Sequence, residues 1–200
     1  EMSPYPNAYT YGDTDIFMVL TSGLFDYLDS DEIDSVIAHE CGHIVCHHVL
    51  YHTIAEFLRT GVTGLIGDLA EPLKLAVYYW ARKSELSADR AAALTCGVET
   101  VVKTQLRLAG GPKMLTDNVN IEEWANQAEQ YEEIRGGSLW NRFLQMGATM
   151  MLDHPFAAVR VREALNWAKT DEFKTVSDLI AGKVRLCPHC NQPVSLEWVY

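Results

Sequence analysis

Only the first twenty residues carry a strand signal. Asn7 to Tyr11 is rich in Tyr and Thr, Gly12-Asp13 reads as a turn, and Ile16 to Leu20 is a short apolar run. Together they predict a small sheet. From Ser22 to about Ala181 the chain reads as helices divided by Gly and Pro. The first long helix begins near Asp29 or Ser30, where Asp29 and Glu32 have the spacing of a capping box. Ile33, Val36, Ile37 and Ile44 give it an apolar side, and Gly61 is its expected stop. A second helix starts at Pro72, runs to Cys96 and stops at Gly97. Shorter helices are predicted over 99–109, 121–135, 139–152, 156–168 and 176–181, with Asn120 and Glu123 forming another capping box. Trp140, Phe143 and Met146 fall at helical spacing and are assigned to the core. The fold class is α+β and mostly helical, with one domain over 1–182 and a short tail over 183–200.

Composition narrows the class of partner. The chain has 200 residues, 48% of them hydrophobic and 22% charged, which is ordinary for a globular protein. Its net charge of −11, with no basic stripe, argues against a nucleic-acid partner and against docking by charge on an anionic membrane. The opening Glu1-Met2-Ser3-Pro4 has no signal-peptide pattern and no initiator Met at position 1, so a piece excised from a longer protein is expected. The most apolar stretch, 61–80, is interrupted by Asp68, Glu71, Pro72 and Lys74. No run reaches the ~18 uncharged residues that a spanning helix needs. Membrane segments flanking this piece stay open. Five cysteines (Cys41, Cys46, Cys96, Cys187 and Cys190), without a regular framework, suggest reduced thiols. The expected location is the cytoplasm or the cytoplasmic face of a membrane.

One pentapeptide carries chemistry: His39-Glu40-Cys41-Gly42-His43. On a helix, His39 and His43 lie one turn apart on one face and can bind the same zinc ion. Glu40 beside them can reach a metal-bound water. A match to these three positions arises by chance in roughly one chain of this length in two hundred, so the motif needs a third ligand to stand. The extended histidine form would need Gly at 46 and His at 49, but the chain has Cys46 and Val49. The other common solution is a Glu on a second helix with an Asp one turn later. Glu85 and Asp89 supply it, Glu85 as the third ligand and Asp89 as acceptor for the free ring N–H of a ligating histidine. His47, His48 and His52 crowd the same region and read as packing or surface residues, although His43 and His47 are geometrically an alternative metal pair. Cys41 reads as a small packing residue.

In this order of motifs the chain resembles the gluzincin peptidases related to HtpX and the CAAX prenyl endopeptidases, including their small soluble relatives. The resemblance covers roughly Asn7 to Leu165. It rests on Pro6-Asn7-Ala8 with Gly12, on Leu20 to Leu24, on Leu28-Asp29 with Glu32, and on Ala38 to His43. Glu85 to Asp89 continues it, as does Asp153-His154-Pro155 with Arg160, although Ser or Thr more often precedes that His. The resemblance implies a zincin-like fold with a small N-terminal sheet over the active-site helix. It implies a zinc-dependent endopeptidase of polypeptides, with Glu40 as general base and His154 as a second oxyanion stabiliser. Arg160 would anchor its segment near the site. Substrate would bind in extended form along the edge strand near 15–20. The competing reading is a latent or non-catalytic domain that binds or regulates. In the tail, Cys187-Pro188-His189-Cys190 looks like one knuckle of a zinc ribbon, and a structural zinc there would need two more ligands. A weaker third reading puts the function in that segment.

Overall fold

In a computed structural model the described residues are 1–12, 15–49, 70–126, 157–187 and 190–195. The N-terminal strand signal is realised as β1 (Ala8–Tyr11) and β2 (Phe17–Leu20), an antiparallel pair in the register Ala8 to Leu20 and Tyr11 to Phe17. Thr21 fixes the approach to this hairpin. Its buried hydroxyl accepts from Asn7 N–H at 2.8 Å and lies 2.7 Å from the Tyr5 carbonyl, to which it donates. A short helix α1 (Ser22–Tyr27) follows.

Helix α2 (Ser30–Val45) begins as its sequence predicts. Asp29 accepts the Glu32 amide, and Glu32 accepts the Asp29 amide, so two orphan donors of the first turn are satisfied reciprocally. The predicted stop at Gly61 is overturned. The helix ends at Val45, and His47 takes a left-handed φ of 56° that a continuing α-helix cannot contain. The next helix in the description, α3 (Ala70–Cys96), tolerates Pro72 because the first-turn amides have no intrahelical partner. Gly97, at φ 89°, lets the chain reverse directly into α4 (Val98–Gly110). A single turn α5 (Lys113–Thr116) comes next, and residues 121–126 are helical after Asn120, whose side chain accepts the Glu122 and Glu123 amides.

Helices α6 (Ala157–Ala168) and α7 (Asp171–Ile180) close the helical part, and a second hairpin, β3 (Val184–Leu186) with β4 (Pro193–Ser195), forms the tail. Thr170 caps α7, which therefore starts before the predicted position 176. The remainder of the 121–135 helix, all of 139–152, and Trp140, Phe143 and Met146 lie outside the described residues.

Helices α2 and α3 pack along each other, with α4 and α6 against them. The core between them is built from small side chains: Ala38 of α2, Ala92 and Ala93 of α3 and Val101 of α4, closed by Trp167 of α6. A second cluster, Leu24, Leu28 and Val36, seats α1 and the first hairpin on α2. Small residues at the α2–α3 seam let the two backbones approach closely, which is what brings their polar side chains together. Among the described residues no helix is long and apolar enough to cross a membrane.

Candidate metal centre

His39 and His43 project from one face of α2, and Glu85 projects from α3 toward them. The two Nε2 atoms are 3.1 Å apart. Glu85 Oε1 lies 3.3 Å from His43 Nε2, and Oε2 lies 3.5 Å from His39 Nε2. Zinc binds imidazole nitrogen and carboxylate oxygen at about 2.0–2.2 Å in tetrahedral sites, which puts neighbouring ligand atoms about 3.3–3.6 Å apart. The observed separations have that scale, and the donor set of two imidazoles and one carboxylate is that of a catalytic zinc site. Among the described residues this is the only group of three ligating side chains close enough to share an ion.

Each ring also has a second nitrogen, and each has a partner. His39 Nδ1 donates to Asp89 Oδ1 at 3.0 Å, as expected for the carboxylate one turn after Glu85. Asp89 is itself clasped by Arg160 of α6. Nε donates to Oδ2 at 2.8 Å and Nη2 to Oδ1 at 2.6 Å, while Nη1 stands 3.1 Å from Glu85 Oε2. Gln105 of α4 adds a further donor to Asp89 at 3.3 Å. Burial works against the charge of Asp89, yet the Arg160 guanidinium and its hydrogen bonds hold the carboxyl down at about 2, from 3.8. Burial likewise works against a charged His39, but its bonds to Asp89 and Glu85 raise it to about 9. Arg160 is raised as well: burial opposes its charge and the carboxylates of Asp89, Glu85 and Glu40 overcome that. His43 Nδ1 faces His48 Nδ1 at 3.1 Å.

Glu40 is buried and lines the same cleft as His39, Glu85, Asp89 and Arg160. Pro6, Asn7 and Ala8 line the cleft from the hairpin side. The structure thus gathers His39, Glu40, His43, Glu85, Asp89 and Arg160 in one place. Arg160 is more than an anchor for its segment, since it bonds directly to the carboxylate that orients His39. Cys41 is exposed and not a packing residue, because its position on α2 faces away from α3. His47 is exposed, whereas His48 is buried against the site. His52 and His154 lie outside the described residues. In the tail, Cys187 follows β3 and Cys190 precedes β4, and among the described residues no third ligating side chain joins them.

Three contributors escaped the sequence reading. Gln105 carries no motif, and Gly42 stood within the zinc motif with nothing to mark it as the point where α2 meets a second helix. His48 was visible as one of five histidines between 39 and 52, but helical extrapolation points it away from His43.

A fold with a helix-borne His-Glu-x-x-His pair completed by a glutamate from a second helix defines a gluzincin-type metallopeptidase domain. The Peptidase family M48 profile matches residues 1–168, and the chain belongs to that family, with His39, His43 and Glu85 as its zinc-binding group. It is 33% identical over 181 residues to plastoglobule-localized metallopeptidase 48, chloroplastic, of Arabidopsis thaliana, covering 87% of this chain and 52% of that protein. It is 38% identical over 84 residues to a protease HtpX homolog of Dictyoglomus turgidum, covering 41% of this chain and 26% of that protein. A protease HtpX homolog of Neisseria meningitidis serogroup B is 26% identical over 152 residues, covering 59% and 53%. The chain therefore spans about half the length, or less, of these curated relatives. No solved structure matches it.

Proposed function

We propose that the chain is the catalytic domain of a zinc-dependent endopeptidase acting on polypeptides. The observation that carries this is the convergence of two imidazole nitrogens 3.1 Å apart with a carboxylate whose two oxygens lie 3.3 and 3.5 Å from them, beside a buried glutamate. When bound, zinc supplies Lewis acidity, which polarises a carbonyl oxygen and makes water acidic enough to lose a proton near neutral pH. Glu40 takes that proton on its carboxylate as water attacks the scissile carbonyl, then delivers it to the leaving amine nitrogen. Asp89 holds His39 in the tautomer that presents Nε2 to the centre, and Arg160 keeps Asp89 ionised and fixed in place. His154 is assigned a hydrogen bond to the developing oxyanion by family resemblance alone.

The substrate backbone lies extended along the first hairpin, by strand addition. A two-stranded ladder leaves one free edge on each strand. The edge near 15–20 is the proposed one, and the contact of Pro6, Asn7 and Ala8 with the cleft supports binding at this hairpin. For the tail, Asn191 N–H donates to Cys187 O and Cys187 N–H to Gln192 O, which brings the backbone at Cys187 beside that of the residue after Cys190 and supports a two-cysteine half-site. A structural zinc there takes its remaining ligands from elsewhere. Metal analysis giving two zinc ions per chain supports that, and one per chain counts against it.

Glu40→Gln tests the mechanism. The variant is expected to bind one catalytic zinc as the parent does and to lose casein hydrolysis by at least ~100-fold, the lower end for a general base. Hydrolysis at the parental rate rules the mechanism out.

A further inference from the structure

Of the two zinc-binding histidines, His39 has a partner that its motif predicts. His43 has one that no motif predicts. We infer that His48 is a positioning residue for the metal site, accepting the Nδ1–H of His43 and thereby fixing the tautomer and ring plane in which His43 offers Nε2 to zinc. The inference rests on the reading of His43 as a zinc ligand.

Proton counting supports it. A neutral imidazole that ligates through Nε2 carries its one proton on Nδ1. His43 Nδ1 stands 3.1 Å from His48 Nδ1, so His48 must accept there and keep its own proton on Nε2. That proton has a destination: Ser87 Oγ of α3 is 3.3 Å from His48 Nε2. Ser87 in turn donates its hydroxyl proton to the Ser84 carbonyl at 2.9 Å. Every donor in this chain meets one acceptor. The chain runs from a ligand on α2 to the backbone of α3 at Ser84, the residue before Glu85. Asp89 bonds the outer nitrogen of His39 and His48 that of His43, so each of the two ligating rings has its own support.

The backbone is shaped to allow this. In a continuous helix a residue five positions after His43 is rotated about 140° from it and cannot face its ring. The break at Cys46 and His47, with His47 in the left-handed region, turns the chain so that His48 folds back over His43. The His48 ring is buried, edge-on to His43 at 5.1 Å and to Trp80 at 5.4 Å between centroids. These contacts fix the imidazole plane as well as its position.

The test measures zinc affinity of the full chain by competition with a chromophoric chelator, for the parent and for His48→Phe, His48→Asn and His48→Gln. Failure of the parent to bind zinc would overturn the metal reading itself, whereas the comparison among variants addresses His48 alone. Phe keeps the ring volume against Trp80 and removes the acceptor, and is expected to weaken zinc binding ~10–100-fold, the usual effect of losing a ligand's hydrogen-bond partner. The Asn carbonyl oxygen stands where His48 Nδ1 stood, so Asn is expected to recover most of the loss. The Gln amide reaches the Nε2 position instead and is expected to resemble Phe. A merely structural His48 predicts the reverse, with Phe best tolerated and Asn worst. Equal affinity of Phe and parent, or no recovery by Asn, overturns the inference. Should Phe fail to fold, the Asn and Gln pair decides. A nitrogen-15 NMR spectrum of the unaltered, zinc-loaded protein decides independently: His48 must be the Nε2–H tautomer, and the Nδ1–H tautomer overturns the proposal.

Discussion

Gly42 and Ala88 meet backbone to backbone: a Cβ added to Gly42 would stand 3.0 Å from the Ala88 Cα and 2.9 Å from the Ala91 Cβ. Gly42 immediately precedes His43, and Ala88 immediately precedes Asp89. This tight contact between α2 and α3 thus lies between the residues that build the metal site. Gly42→Ala forces the helices apart or strains them, a cost of about 1–3 kcal/mol for overpacking. Because Glu85 moves with α3, zinc affinity falls as well. Urea denaturation of chelator-treated protein, together with a zinc titration, measures both. An unchanged midpoint with unchanged zinc affinity would show that the seam can yield without consequence.

Arg160 is the counter-charge of two buried carboxylates, Asp89 and Glu85. Arg160→Met leaves them facing each other without it and should destabilise the fold by about 3–5 kcal/mol, as for breaking one side of a buried ion pair. Arg160→Lys restores charge but cannot supply parallel N–H groups to both Asp89 oxygens, so it should fall between the parent and Met. Thermal unfolding gives the order. Lys indistinguishable from Arg would mean that charge alone matters.

Much of this was legible in the sequence because it is local. Asp29 and Glu32 mark the start of α2 through a bond that spans three residues, and Gly97 marks its own turn. His39, Glu40 and His43 are fixed by helical spacing, as are Glu85 and Asp89. What depends on the approach of distant segments was not legible. The end of α2 at Val45 follows from a left-handed histidine, which nothing in an apolar period foretells. Gln105 and His48 reach the site only because α4 and the turn after α2 pack where they do.

Protonation of the site gives a pH signature in protein stripped of metal by a chelator. His39 is raised from 6.5 to about 9, so its contribution to stability is full below about 6.5 and is lost as pH rises through 9. Asp89 is lowered from 3.8 to about 2, so its contribution is full above about 3.8 and is lost as pH falls through 2. By these two groups the stripped protein is most stable between roughly 4 and 6.5. Its melting temperature should fall between pH 7 and pH 9. With zinc bound at Nε2, the extra proton of His39 is displaced into solvent, and the decline over that range should shrink. Parallel scanning calorimetry at several pH values, with and without zinc, separates the two cases. Identical profiles would contradict the assignment.

A second buried ion pair stands apart from the metal. Arg107 Nε donates to Glu32 Oε1 at 2.9 Å and Nη1 to Thr116 Oγ1 at 3.0 Å, joining the first turn of α2 to α4 and α5. Glu32→Ala removes both this partner and half of the capping box. A loss of up to about 3–5 kcal/mol is expected, mostly from the guanidinium losing its buried partner, with the half-exposed Asp117 at 3.5 Å offsetting part of it. Zinc affinity of the folded fraction should stay within a few-fold of the parent, since distant sites add independently. Denaturant titration and chelator competition check the two halves of this prediction.

Arg160 follows Asp89 by 71 residues. During synthesis at about 5–20 residues per second it leaves the ribosome some 4–14 s after the carboxylate it will clasp. Until then the nascent chain can hold all three metal ligands but lacks the cation that fixes their support.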